Sequence, residues 1–192
     1  ANDAGVTAVN SDISVKNCII RPDPEIFGEA KFGKGIQILN LGGSADIAPL
    51  IENNLILNAD TGIYLFSQAF GGAILGEIKD NTLNNNNSGI IMRMHKENPA
   101  IQNNIITRAI DAIHLTYDSL LTERLANITN NCFGADVYGN THNVWCDELQ
   151  TEQLTLPDAA GNIGEDPEYY EPDDLNYAPQ NPNCGDKGCR LE

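Results

Sequence analysis

The stretch "IKDNTLNNNNSGIIMRM", Ile78 to Met94, sets four asparagines in a row ahead of a Ser-Gly and a short apolar alternation. On its own it could be low-complexity filler or one turn of something repeated. The rest of the chain decides between the two. Four segments align without gaps: "IENNLI" from Ile51, "IKDNTL" from Ile78, "IQNNII" from Ile101 and "ITNNCF" from Ile128, with starts 27, 23 and 27 residues apart. A fifth, "VKNCII" from Val15, fits with Cys18 in the place held elsewhere by asparagine, and begins 36 residues before Ile51. In the middle units a second block follows: "TGIYLF" from Thr61, "SGIIMR" from Ser88 and "DAIHLT" from Asp111, each with its isoleucine nine residues past the asparagine. "KGIQIL" from Lys34 belongs to the long first unit, and "AGVTAV" from Ala4 reads as a coil that begins before the chain does, as in a piece of a longer solenoid.

Each unit offers two or three short stretches with period-two alternation, separated by Gly, Asn and Asp, and almost no helical periodicity. A unit of 23 to 27 residues cannot bury its own apolar face, whereas copies stacked strand on strand in parallel can. The reading is an all-β parallel β-helix, a solenoid of about five coils. Residues 1–140 form the coils, the first incomplete. Residues 141–190 form an irregular acidic extension packed on them, and Leu191-Glu192 reads as a cloning scar. The register stacks Asn54, Asn81, Asn104 and Asn131 at an inward corner, where each amide, being donor and acceptor at once, can bond the next copy. Asn84 to Asn87 then form the turn into the next strand. Alternation sends Ile63, Leu65, Ile90, Met92, Ile113 and Leu115 inward. Outward go Tyr64, Ile91 and His114 in one column and Phe66, Arg93 and Thr116 in the next, while Lys16, Glu52, Lys79, Gln102 and Thr129 make a merely polar column on another strand.

With 27 acidic against 11 basic residues the formal charge is −16, which opposes unassisted contact with nucleic acid or anionic lipid. It opposes a polyanionic sugar as well, unless a cation or a local basic patch intervenes. No run approaches the roughly 18 apolar residues of a membrane span, and the N-terminus lacks the regions of a signal peptide. Five cysteines leave at least one without a partner inside the chain. Cys132 and Cys146 could close one loop and Cys184 and Cys189 a tight one, in an oxidising compartment; reduced thiols are the alternative. The spacing in "CGDKGC" is not that of a zinc knuckle.

The pattern I-x-N-N-x-I followed by G-I-x-L resembles the right-handed parallel β-helix repeat family, which includes pectate lyases, alginate and chondroitin lyases, polygalacturonases and many secreted bacterial proteins. The stretch "NIGEDPEYYEPDDLNYAPQNPNCGDKG" from Asn162 is similar to the closing segment common in secreted members. The resemblance implies an extracellular or cell-surface protein whose partner is a polysaccharide or surface glycan, with the substrate cleft on the "GIYLF" strand face and its loops. Basic residues gather there: Arg93, His95, Lys96, Arg108 and His114 are five of the 14 Lys, Arg and His. A polyuronate lyase needs a cation to neutralise the substrate carboxylate and a base to take the adjacent proton. Arg93 as neutraliser, His114 or Lys96 as base and Tyr64 as acid or stacking platform meet that list, with Phe66, His95, Arg108 and Thr116 as binding residues.

The competing readings are a solvated strand end and a non-catalytic adhesin or carbohydrate-binding β-helix. Hydrolysis by two carboxylates finds no Asp-Asp pair; Asp60, Asp111 and Asp136 lie in turns without a shared offset. The Tyr-Gly-x-Asp-Pro-His-type epimerase motif is missing too. No metal ligand set stands out, although Glu165, Asp166, Glu168, Glu171, Asp173 and Asp174 offer oxygens to calcium without the spacing of a known loop. Asn86 and Asn127 begin glycosylation sequons by pattern. Trp145 is read as docking its segment over an apolar face or as a sugar platform.

Overall fold

The computed structural model describes residues 4–23, 31–117, 121–135, 138–171 and 175–190, with the side chains of 170 and 171 outside the description. The strands are β1 (Ala4–Val9), β2 (Ser14–Lys16), β3 (Ile19–Ile20), β4 (Phe32–Asn40), β5 (Leu50–Glu52), β6 (Leu55–Leu57), β7 (Ala59–Ser67), β8 (Glu77–Lys79), β9 (Thr82–Asn84), β10 (Ser88–Arg93), β11 (Ala100–Gln102), β12 (Ile105–Thr107) and β13 (Asp111–Leu115). After helix α1 (Leu121–Ala126) come β14 (Ile128–Thr129), β15 (Cys132–Phe133), β16 (His142–Cys146), β17 (Thr151–Glu152), β18 (Ile163–Gly164), β19 (Tyr169–Glu171) and β20 (Asn176–Pro179). They stack into three sheets of parallel neighbours: seven strands in the order β1-β4-β7-β10-β13-β16-β17, five in the order β14-β11-β8-β5-β2, and six in the order β18-β15-β12-β9-β6-β3. Only β17 joins the first of these antiparallel, through a turn from β16. The chain is a parallel β-solenoid of about six turns.

The registers are those of the sequence repeat. Ile90 sits between Ile63 and Ile113, Met92 between Leu65 and Leu115, and all six side chains are fully buried. Ile51, Ile78, Ile101 and Ile128 stack the same way in the five-stranded sheet. Each such burial is worth about 1.5–3 kcal/mol, so these columns contribute strongly to folding. Before the ladder position, five coils turn through one residue in the left-handed region, Asn17, Asn53, Asp80, Asn103 and Asn130, with φ between 54° and 57°, and the last coil uses Gly161 at φ 80°. Asn and Asp tolerate that conformation better than other non-glycine residues. A second such corner, into the seven-stranded sheet, uses Asn58, Asn85 and Arg108.

The ladder runs as expected and one rung further. Asn54, Asn81, Asn104 and Asn131 each donate from Nδ2 to the Oδ1 of the next, at 2.9–3.0 Å, and the last of those acceptors is Asn162. The backbone N–H of the same residues donates to the same oxygens. Cys18 holds the first rung through its own N–H, which reaches Asn54 Oδ1 at 3.0 Å. Asp158 ends the ladder by accepting from Asn162 Nδ2 at 2.8 Å.

The four consecutive asparagines differ in their work. Asn84 is a strand residue whose amide meets the Tyr177 hydroxyl, Asn85 is the left-handed corner, and Asn87 bonds Asp60 and Lys31 at the surface. Asn86 is buried, accepts from the Ala59 N–H and donates to the Ile56 carbonyl. Its burial withdraws the sequon's side-chain amide from solvent.

Two expectations need correction. The stacked strands do not stop at residue 140: β16 and β18 continue two of the sheets, and Asn162 continues the ladder, so a sixth turn occupies what was read as irregular extension. The repeat was hidden because three residues before its ladder asparagine stands Ala159 instead of an isoleucine, and Gly161 takes the corner position held elsewhere by Asn or Asp. The cysteine pairing also differs. Cys132 is joined to Cys184, while Cys18, Cys146 and Cys189 are free. Cys132 and Cys146 sit on strands of different sheets, Cys146 pointing into the core and Cys132 out under the tail.

From residue 165 the chain turns back along the outer face of the six-stranded sheet. Tyr169 and Tyr177 pack edge to face over Ile105, Leu55 and Leu57, and the Tyr169 hydroxyl meets Thr107 Oγ1 at 3.1 Å. Burial pushes the Tyr169 phenol well up. The strap closes coil by coil, with Gly188 N bonded to Asn103 O, Cys189 N to Thr82 Oγ1 and Arg190 N to Asn53 Oδ1. This second covered face explains why β6, β9 and β12 are buried on both sides.

Candidate functional site

Among the described residues, the tail does not pack on the outer face of the seven-stranded sheet. Parallel pairing puts Gln37, Tyr64, Ile91, His114 and Trp145 in one outward column, and Leu39, Phe66 and Arg93 in the next. At the near edge of the strands a third column holds Lys34, Thr61, Ser88, Asp111 and His142. The face therefore carries rings and charges on an apolar-backed, rigid floor.

Arg93 ends β10 exposed. Its guanidinium faces the hydroxyls of Tyr117 and Tyr64, whose oxygens favour its charged form and raise its pKa, Tyr117 more than Tyr64. Its Cζ lies 5.9 Å from the centre of the Phe66 ring. Lys34 Nζ stands 5.2 Å from the Tyr64 ring centre, and His95 stacks on Tyr117 with centroids 4.0 Å apart. A buried cation behind the face holds this loop. Arg124, on α1, donates to the carbonyls of Tyr117, Met94 and Lys96. That clamp fixes the His95–Tyr117 pair beside Arg93.

The other end of the face is a chain of acids and imidazoles. Asp111 receives His114 Nδ1 on one oxygen and His142 Nδ1 on the other, each at 2.8 Å, and His114 Nε2 meets Asp147 Oδ2 at 2.8 Å. His142 stacks on Trp145 with centroids 4.3 Å apart.

The residues expected from sequence divide accordingly. Tyr64, Phe66 and Arg93 come together, with His95 one residue-pair away through Tyr117. His114 shares the face, its Cα about 8 Å from that of Arg93, being one strand over and two residues along, but both its ring nitrogens are engaged by carboxylates. Thr116 follows β13 and bonds the Met92 carbonyl through its backbone. Lys96 lies in the loop after β10, its carbonyl held by Arg124. Arg108 is not on the face: it sits at a left-handed corner with its guanidinium 4.3 Å over the Tyr138 ring. Asp136 and the acids Asp173 and Asp174, with the side chain of Glu171, fall outside the described residues. Among the described residues no three His, Cys, Asp or Glu side chains are placed to share a metal ion, and no helix is long and apolar enough to cross a membrane.

Asp111, Tyr117, Arg124, His142 and Asp147 were missed as site residues. The sixth coil went unread, so the register that sets His142 over Asp111 and Trp145 over His114 was invisible. Tyr117 and Arg124 lie in the long insertion between repeats, where no offset applies. A separate open groove of about 720 Å³ runs between the five-stranded sheet and the end of the tail. Its charges pair among themselves, Lys16 with Glu52 at 2.8 Å and Lys79 with Glu77 at 2.7 Å alongside. No protein-family model, curated protein or solved structure matches the chain. The chemistry of the open face thus carries the functional reading.

Proposed function

We propose that the chain is a secreted or cell-surface β-helix domain, akin to the pectate lyase-like β-helix proteins, whose open seven-stranded face binds an acidic polysaccharide. The observation that carries this is Arg93: an exposed guanidinium set beside the hydroxyls of Tyr64 and Tyr117 and flanked by the Phe66 ring. A guanidinium matches a carboxylate in bidentate fashion, and the neighbouring rings offer the apolar faces on which sugar rings stack. Columns recur at the strand spacing of about 4.8 Å, close to the length of one sugar unit in an extended chain. The Cys132–Cys184 bond supports an oxidising compartment.

His114 has a carboxylate against each ring nitrogen, so while both contacts stand it offers a substrate no unengaged ring nitrogen, which favours binding over catalysis. One observation supports a lyase instead: Arg93 beside Tyr64 and Tyr117 sets a neutralising cation next to two groups able to carry a proton. In that reading a tyrosine, and not His114, moves the proton.

A panel of acidic and neutral polysaccharides, assayed for affinity and for the ultraviolet absorbance of unsaturated product, tests both. Selective binding of acidic chains is expected, weakened about ten-fold in Arg93→Ala, the equivalent of about 1.4 kcal/mol. Turnover abolished by Tyr64→Phe or Tyr117→Phe would move the reading to the lyase. Failure to bind any acidic polysaccharide would remove both.

A further inference from the structure

Between β13 and β16 the side chains form an unbroken alternation of acid and imidazole, His142, Asp111, His114 and Asp147, joined by three contacts of 2.8 Å. A count of protons shows what this requires. A neutral imidazole carries a single N–H. If His114 spends it on Asp111, a lone pair is turned against the Asp147 carboxylate. Only the doubly protonated ring donates at both ends. The two acceptors are also unequal. The Asp111 side chain is 12 % exposed and is shared with His142, whereas that of Asp147 is 42 % exposed and stands where β16 turns toward β17.

We propose that His114 is a proton-operated clasp that holds the β16–β17 hairpin, and with it Trp145, on the open face. When the ring loses its second proton, the outer bond to Asp147 opens and the inner bond to Asp111 stays. The clasp is closed where the ring is charged and Asp147 ionised, and it is open where the ring is neutral. The other titratable or charged groups on the elements packed around it are Arg93 on β10, Tyr64 on β7, Tyr117 after β13, His142 on β16, Glu148 next to Asp147 and Glu152 on β17. Glu152 is committed to the N–H groups of Asn143 and Val144. Trp145 shares the outward column of His114 and stacks on His142, so an open clasp loosens one end of the face. Insofar as that face binds glycan, which rests on the function proposed above, affinity falls as pH rises. His114 is in this sense a positioning residue.

Hydrogen exchange of amides 144–153 in the full chain, corrected for the intrinsic effect of pH, tests the clasp without any ligand. In the wild type, protection at about pH 5.5 should exceed that at about pH 8 by roughly two- to five-fold, the worth of a part-exposed pair. Asp147→Asn can donate to a neutral ring or accept from a charged one, so its protection should be the same at both values. Asp147→Ala should be weakly protected at both. A wild-type profile in Asp147→Ala, or a wild-type titration in Asp147→Asn, overturns the clasp. Acidic-glycan affinity measured at the same two pH values then tests the link to the site. A pH-dependent affinity that Asp147→Asn flattens supports it, and an affinity indifferent to a clasp shown to open overturns it. No glycan binding at either pH overturns the proposed function, and with it the regulation, while the exchange data still decide the clasp.

Discussion

At position 80 the chain carries an aspartate where the stacked corners above and below carry Asn53 and Asn103, all three at left-handed φ. The conformation suits both residue types, but the charge does not suit the place. Partial burial, reinforced by the negative charge of Glu52, raises the Asp80 carboxyl above its ordinary range despite a bond from Asn103. A carboxyl whose folded pKa is raised costs the fold stability while it is ionised, and the cost disappears as pH falls through the raised value. Asp80→Asn should therefore stabilise the protein at neutral pH. The group is only partly buried and its charge is screened by solvent, so the gain is small, about 0.3–0.5 kcal/mol. It should shrink toward zero below about pH 4. Urea denaturation of the two proteins at neutral and acid pH checks both the sign and its disappearance.

The asparagine ladder behaves as an element in its own right. Asn104 is fully buried; it accepts from the backbone and side chain of Asn81, and donates to Asn131 Oδ1 and to the carbonyls of Ile78 and Gln102. Each buried partner left unsatisfied costs about 1–3 kcal/mol, so Asn104→Ala should lose about 4 kcal/mol or more in denaturant unfolding. Asn87→Ala, which removes a part-exposed amide bonded to the side chains of Asp60 and Lys31, should stay within about 1 kcal/mol. The ladder was also the most legible element, because an inward amide at a tight corner admits few substitutes and so leaves a visible repeat. Where another residue stands in, as at Cys18, the neighbouring isoleucines still gave the register. Where both change, as around Asn162, the coil was lost from view. The disulfide illustrates the same limit: Cys132 and Cys184 meet only because the tail doubles back over the six-stranded sheet, which no local spacing encodes.

Over the whole molecule, the tail covers one sheet, salt-bridged polar side chains line a second, and the third stands open with its rings and charges. The inward and outward columns of that third sheet could be assigned from alternation alone, and Tyr64, Phe66 and Arg93 were found in this way. The acid–imidazole chain could not be, since it joins residues of successive coils through a register that depends on the unread sixth turn. The placement of function on this face is tested most directly by mapping amide and side-chain NMR shifts on titration with a short acidic oligosaccharide. Perturbations should concentrate at Tyr64, Phe66, Ile91, Arg93 and Trp145, and fade in Arg93→Ala. Saturable perturbations confined to the tail or to the Lys16, Glu52 and Lys79 column, with the open face silent, would contradict it.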